Sequence, residues 1–105
     1  MDNEAAALAQ EGAQRALDHA ERVIEAWGDR AYTHALAFIA GQDAFTGEQV
    51  RAYAENHGLP PAPEPRAWGA VMLRLKRDGR TVFRGYDLSA NKQAHNRPVV
   101  VWGVA

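Results

Sequence analysis

Apolar residues in the first quarter of the chain recur at helical spacing. Ala6, Ala13, Leu17, Ala20, Ile24 and Trp27 are separated by sevens, fours and threes, which predicts one amphipathic helix. Asp2 or Asn3 can cap it, and it is expected to run to about Trp27. Two interpretations of this stripe stay open. It either covers the core of its own domain or forms a homodimer contact.

The next segment predicts two further helices. Gly28-Asp29 is expected to break the first helix, with Asp29 capping a second one from Arg30 to about Ala40. A third is expected from the cap Thr46 to His57-Gly58, a helix-stop pair. Thr46 and Gln49 have the spacing of a capping box, and Phe45 and Val50 that of a hydrophobic staple.

The following stretch, 59–65, contains four prolines and predicts a stiff extended connector. Pro65 suits the first position of a fourth helix that closes at Asp78-Gly79. One face of this helix is apolar and is expected to be buried, through Trp68, Val71, Met72 and Leu75. The opposite side is basic or small and is expected to stay open, through Arg66, Gly69, Ala70, Leu73, Arg74 and Arg77.

The period then changes to that of strands. Arg80–Leu88 and Val99–Trp102 are predicted as antiparallel strands around a polar loop, Ser89–Arg97. Thr81, Phe83, Tyr86 and Leu88 do not keep one parity, so a bulge at or near Gly85 is expected to restore them to one face. Trp68 and Trp102 lie in apolar company, and we interpret both as core residues rather than base-stacking platforms.

Charge divides the chain into two unlike halves. The whole chain has a net charge of −1, but residues 1–64 carry −7 and residues 65–105 carry +6. The basic half coincides with the fourth helix and the hairpin. This asymmetry favours one basic and one acidic surface over charges scattered evenly on solvated faces.

Length and composition set the class of protein. The 105 residues predict a single folded domain at 29–105 preceded by the amphipathic helix at 1–28. The chain has no cysteine and shows no signal-peptide pattern, and no apolar run approaches the roughly 20 residues that span a bilayer. These features lead us to expect a cytoplasmic protein that does not enter a membrane.

No catalytic pattern emerges from the residues. The four histidines lack metal-ligand spacing, and Ser89 is the only serine and has no nucleophile-elbow context around it. His95 beside Asn96 lacks the companion residues of a nuclease motif, so a histidine that touches phosphate or solvent is the preferred interpretation. We therefore expect a non-enzymatic protein without cofactor or metal.

Three segments of the chain form a recognisable set. They are Phe45-Thr46 with Val50, the stretch Pro65-Arg66-Ala67-Trp68-Gly69-Ala70-Val71, and His95-Asn96-Arg97-Pro98-Val99-Val100-Val101-Trp102. Together they resemble small phage- and prophage-type winged helix-turn-helix proteins. The likeness covers about Tyr32 to Trp102 and implies an α+β, mainly helical fold with a C-terminal hairpin wing. The N-terminal helix is an addition to that pattern.

The resemblance implies duplex DNA binding in transcription regulation or replication. Contacts would come from the fourth helix and from the wing, through Arg66, Arg74, Arg77, Lys92, His95 and Arg97. The helix departs from the pattern of base readers because arginine is its only side chain well suited to base edges. The alternative is a protein-interaction module or inhibitor on the same scaffold, with an acidic N-terminal surface or a basic C-terminal one as its docking face.

Overall fold

Four helices and one small antiparallel sheet make an α+β fold. The computed structural model describes residues 3–88 and 98–105. In chain order its elements are α1 (Asn3–Val23), α2 (Trp27–Ile39), β1 (Ala44–Thr46), α3 (Gly47–Asn56), α4 (Ala67–Arg77), β2 (Thr81–Leu88) and β3 (Pro98–Val104).

The junction between α1 and α2 differs from the prediction. α1 ends at Val23, and the chain turns at Ala26, which has a left-handed φ of 53°. Trp27 therefore starts α2 rather than ending α1. Gly28 lies inside α2, and a Cβ built there would stand 3.0 Å from the side chains of both Leu17 and Glu21. This glycine permits close helix packing, and it was wrong to interpret it as a helix breaker. Asp29 is in the first turn of α2 and is not its cap.

α3 has the ends that its sequence predicts. The Thr46 hydroxyl accepts from the Gln49 amide at 3.3 Å, and the Gln49 side chain accepts from the Thr46 amide at 3.0 Å. Phe45 and Val50, the staple pair, are both buried. At the other end, Leu59 N–H donates to the Ala54 carbonyl across Gly58, which has a φ of 96°. This is a Schellman cap, and it turns the chain sharply into the proline connector.

α4 buries the predicted face and begins slightly later than expected. The stripe Trp68, Val71, Met72 and Leu75 is at most 5% exposed. The α-helix starts at Ala67 because residues 64–69 form a tighter turn of i→i+3 hydrogen bonds over Pro65. A second Schellman cap closes the helix, with Arg80 N–H donating to the Leu75 carbonyl at 2.9 Å across Gly79.

The sheet has the order β1-β3-β2, so the C-terminal strand is central. β1 was not predicted, because its three residues also read as the staple and cap of α3. It pairs Phe45 with Trp102, and β2 pairs Phe83 with the same residue. The register shifts between Phe83 and Gly85, which confirms the predicted bulge.

The apolar stripe of α1 is used within its own chain. Ala13, Ala16 and Ala20 are buried, and Leu17 and Ile24 pack against the core cluster that contains Trp27 and Trp68. The described part of the stripe therefore packs on the core of its own chain, as the first interpretation expected, and the homodimer contact stays a prediction. Within the part of the chain that the structure describes, no helix is long and apolar enough to cross a membrane.

The Thr46 cap leads to a stability prediction. Thr46→Ala removes the hydroxyl that satisfies the Gln49 amide, so the free energy of unfolding should fall by about 1 kcal/mol. Urea denaturation followed by circular dichroism measures this change. Thr33→Ala is the matched control, because Thr33 is exposed inside α2 and its hydroxyl donates to the Asp29 carbonyl without capping a helix. An equal loss in both variants would contradict the cap.

Candidate nucleic-acid interface

The outer face of α4 is open at Arg66, Gly69 and Arg77 and partly covered elsewhere. α1 packs along α4, and a Cβ built at Gly69 would lie 3.3 Å from the Cβ of Ala13. Ala70 and Leu73 are half-buried rather than exposed. The predicted small-residue face is therefore open at Gly69 and covered in part at Ala70 and Leu73, because α1 comes into contact distance beside Gly69.

An open cleft of about 640 Å³ separates the two helices beyond this contact. α1 contributes Ala7, Gln10, Glu11 and Gln14 to its walls, and α4 contributes Ala70, Leu73, Lys76 and Arg77. An acidic side chain of α1 thus shares a cleft with two cations of α4. Glu11 is also bridged to Arg15 at 2.6 Å on its own helix.

Arg74 lies toward α2 instead of pointing away from the domain. Its guanidinium carbon lies 3.9 Å from the centre of the Tyr32 ring, and its Nη1 donates to Asp29 at 3.1 Å. The Nε stands 3.9 Å from Asp78, whose carboxylate accepts a 2.6 Å hydrogen bond from the Tyr32 hydroxyl. Arg74 therefore links α2 to α4. A DNA contact made by Arg74 would compete with these interactions inside the protein.

Arg66 and Arg77 are the exposed candidates on the α4 side. The Arg66 guanidinium passes 3.4 Å from where a Cβ on Gly12 would lie, so it reaches the edge of α1. Arg77 borders the cleft described above. The structure thus places both near α1, and Arg77 also lines a smaller cavity of about 160 Å³ together with Arg74.

The wing candidates Lys92, His95 and Arg97 lie outside the described residues. Two more cations are exposed nearby, Arg80 just before β2 and Arg84 within it. The Arg84 side chain lies across Gly103 of β3, where no Cβ would fit. The sequence analysis did not name Arg80 or Arg84 as possible DNA contacts. The predicted bulge near Gly85 was the signal that could have drawn attention to Arg84, which lies at the register shift.

An apolar groove runs along the other side of α4. It has a volume of about 800 Å³, and α1, α4 and the hairpin each supply a wall. On the hairpin, Phe83 is 51% exposed and Tyr86 is 70% exposed, with ring centroids 5.4 Å apart. Across the bulge, Phe83 and Tyr86 of β2 lie opposite Trp102 and Val100 of β3, and all four line the groove.

The buried faces of α2 and α4 meet through aromatic rings. Trp68 was expected to be a core residue. It is 5% exposed and meets Trp27 edge to face at 5.3 Å, so the core interpretation of Trp68 is confirmed. Trp102 is half-buried and packs against the same cluster. Among residues 3–88 and 98–105, no group of three His, Asp or Glu side chains is placed to hold a metal ion.

The Tyr32 hydroxyl leads to a pH prediction. Burial raises the pKa of Tyr32 above 10.0, and the hydrogen bond to Asp78 and its negative charge raise it further, although Arg74 and Arg80 oppose this. Because the pKa of Tyr32 is higher in the folded chain than in the unfolded chain, its neutral hydroxyl stabilises the fold fully at any pH below the unfolded-state pKa. This stabilisation is lost as the pH rises through the folded-state pKa. The stability gap between wild type and Tyr32→Phe should therefore shrink above about pH 10.

Urea denaturation of both proteins from about pH 8 to about pH 11 measures this gap. At neutral pH the substitution should cost about 1 kcal/mol, because one hydrogen bond is lost. A gap that stays constant across the series would show that Tyr32 ionises equally in the folded and unfolded chains.

Comparison with known proteins gives no match for this chain. No protein-family model matches it, no curated protein matches it, and no solved structure matches it. The residues described above, with their charges and packing, are therefore the basis on which a function can be assigned.

Proposed function

We propose that the chain is a winged helix-turn-helix domain that binds duplex DNA. The observation that supports this most directly is the connectivity. A helix, a short strand and two helices lead into a hairpin, and the return strand β3 pairs with the short strand β1. This arrangement ties the hairpin to the helical body and lets it act as a wing beside α4.

Charge supports the same proposal. The segment that forms α4 and the hairpin carries eight Lys or Arg residues against two Asp. The Schellman cap at Gly79 joins the helix to β2 without a flexible linker, so the two basic elements keep one relative orientation. Such a pair suits one DNA duplex, with the helix toward the major groove and the wing along the backbone.

The residues divide into two proposed roles. Lys92, His95 and Arg97 on the wing, with Arg66, are backbone contacts that position the domain. Arg77 is the candidate for a base edge, since Arg74 is engaged with Tyr32 and Asp29. A small protein with these contacts would serve as an accessory or regulatory factor at DNA.

The test is a duplex titration at about 50 mM and about 200 mM salt. Wild type should bind and weaken as salt rises. Lys92→Gln/Arg97→Gln should weaken binding to all duplexes alike and lower the salt slope by about 0.9 for each lost phosphate contact. The matched control is Arg22→Gln/Arg30→Gln, which removes two exposed charges from the acidic half of the chain. Equal effects of the two double variants would contradict a role for the wing.

A protein-interaction module is the second candidate, and the apolar groove favours it. Exposed aromatic residues beside an apolar groove are typical of surfaces that receive a partner. The partner would be a protein that inserts apolar side chains between α4 and the hairpin, next to Phe83 and Tyr86. The absence of salt-sensitive binding to any duplex at low ionic strength would favour this function over DNA binding.

A further inference from the structure

Two halves of α1 pack very differently on the domain. In residues 7–14, which we call the cover, Ala13 is the one buried side chain among those described. In residues 15–23, Ala16 and Ala20 are at most 1% exposed, and Leu17 packs against the core. The second half is anchored, whereas the cover buries little apolar surface and is weakly held.

The cover lies over the side of α4 that would face DNA. Its Ala13 meets Gly69, its Gly12 lies beside Arg66, and Glu11 shares a cleft with Arg77. These α4 positions are opposite the buried stripe of Trp68, Val71 and Leu75. Arg66, Gly69 and Arg77 are themselves exposed, so the cover borders this face rather than sealing it. A duplex that came close enough to reach Gly69 would still collide with the cover, because the Ala13 side chain contacts that position.

Open space borders the cover on both sides. The 640 Å³ cleft lies along Lys76 and Arg77, and the 800 Å³ apolar groove lies along Met72 and Leu73. The cover is therefore held to α4 along a narrow line of small residues rather than by interlocked side chains. Such a contact can open without disturbing the core below it.

We propose that the cover is an autoinhibitory element that must leave α4 before the duplex can bind. This inference rests on the proposed DNA-binding function and concerns the regulation of the same face. In the closed state the cover stands beside the face of α4 that the duplex would use, and its one charged residue, Glu11, shares a cleft with Lys76 and Arg77. The apparent affinity for duplex is then reduced by the fraction of molecules in which the cover is open.

A reversible cross-link tests the proposal in the full chain. The sequence has no cysteine, so Ala13→Cys/Gly69→Cys introduces a single possible disulfide. The Cβ positions at these sites are 3.3 Å apart, close to the roughly 3.5–4.5 Å that a disulfide spans. Mass spectrometry establishes cross-linking, and circular dichroism establishes the fold of each form.

The oxidised form should bind duplex at least about tenfold more weakly than the reduced form of the same molecule, because the open fraction is removed. A second variant acts in the opposite direction. Ala13→Gln places a long side chain at the Gly69 contact and should strengthen duplex binding severalfold. Ala37→Gln, at an exposed position of α2, is its control and should bind as wild type does.

Each outcome has one meaning. If the oxidised and reduced forms bind equally and wild type also binds, the autoinhibitory role of the cover is overturned, whereas the DNA-binding function stands. If both forms of the cysteine variant fail and wild type binds, Ala13→Gln decides, since unchanged or weaker affinity would overturn the proposal. Binding by Ala13→Gln alone would support a tightly closed wild type. No binding by any protein would reject DNA binding itself, and the cover with it.

Discussion

The contact between Trp27 and Trp68 is the constraint on which the arrangement of helices depends. The two rings meet edge to face at 5.3 Å, and the Trp27 Nε1 donates to the Pro60 carbonyl at 2.9 Å. One pair of side chains therefore joins α2, α4 and the proline connector. Truncating a buried tryptophan to alanine costs about 3–5 kcal/mol, which is a large part of the roughly 5–15 kcal/mol that stabilises a typical domain. The turn at Ala26 follows from this contact, because Trp27 has to enter the core at the start of α2.

Glycines determine how closely α1 approaches the remaining helices. Gly28 lies beside Leu17, and Gly69 lies beside Ala13, so at both points a side chain of α1 approaches the backbone of another helix. This packing brings an acidic helix onto a basic one with little apolar burial in residues 7–14. The same feature that allows the contact also keeps it weak, which is the physical basis for the proposed opening of the cover.

The contacts of Arg74 reduce the positive charge that α4 can offer to DNA. Arg74 stacks on Tyr32 and pairs with Asp29, and its Nε lies 3.9 Å from the Asp78 carboxylate. A formal charge of +6 in residues 65–105 therefore overstates what a phosphate would meet on this helix. Arg77 has no ion pair or ring contact of this kind among its described contacts, and it borders the cleft. It is therefore the residue proposed to contact a base edge.

The sequence by itself determined the local features of this protein. Helical spacing predicted the buried face of α4, the capping box and glycine predicted both ends of α3, and the broken parity of β2 predicted its bulge near Gly85. These features depend on residues within about one or two turns of each other, so a sequence pattern contains them. Tertiary structure decided which surfaces meet. The packing of the α1 stripe, the approach of Ala13 to Gly69 and the contacts of Arg74 join residues far apart in the chain. Neither periodicity nor charge names the partner of a face, because any apolar or oppositely charged surface of the right shape satisfies the same pattern.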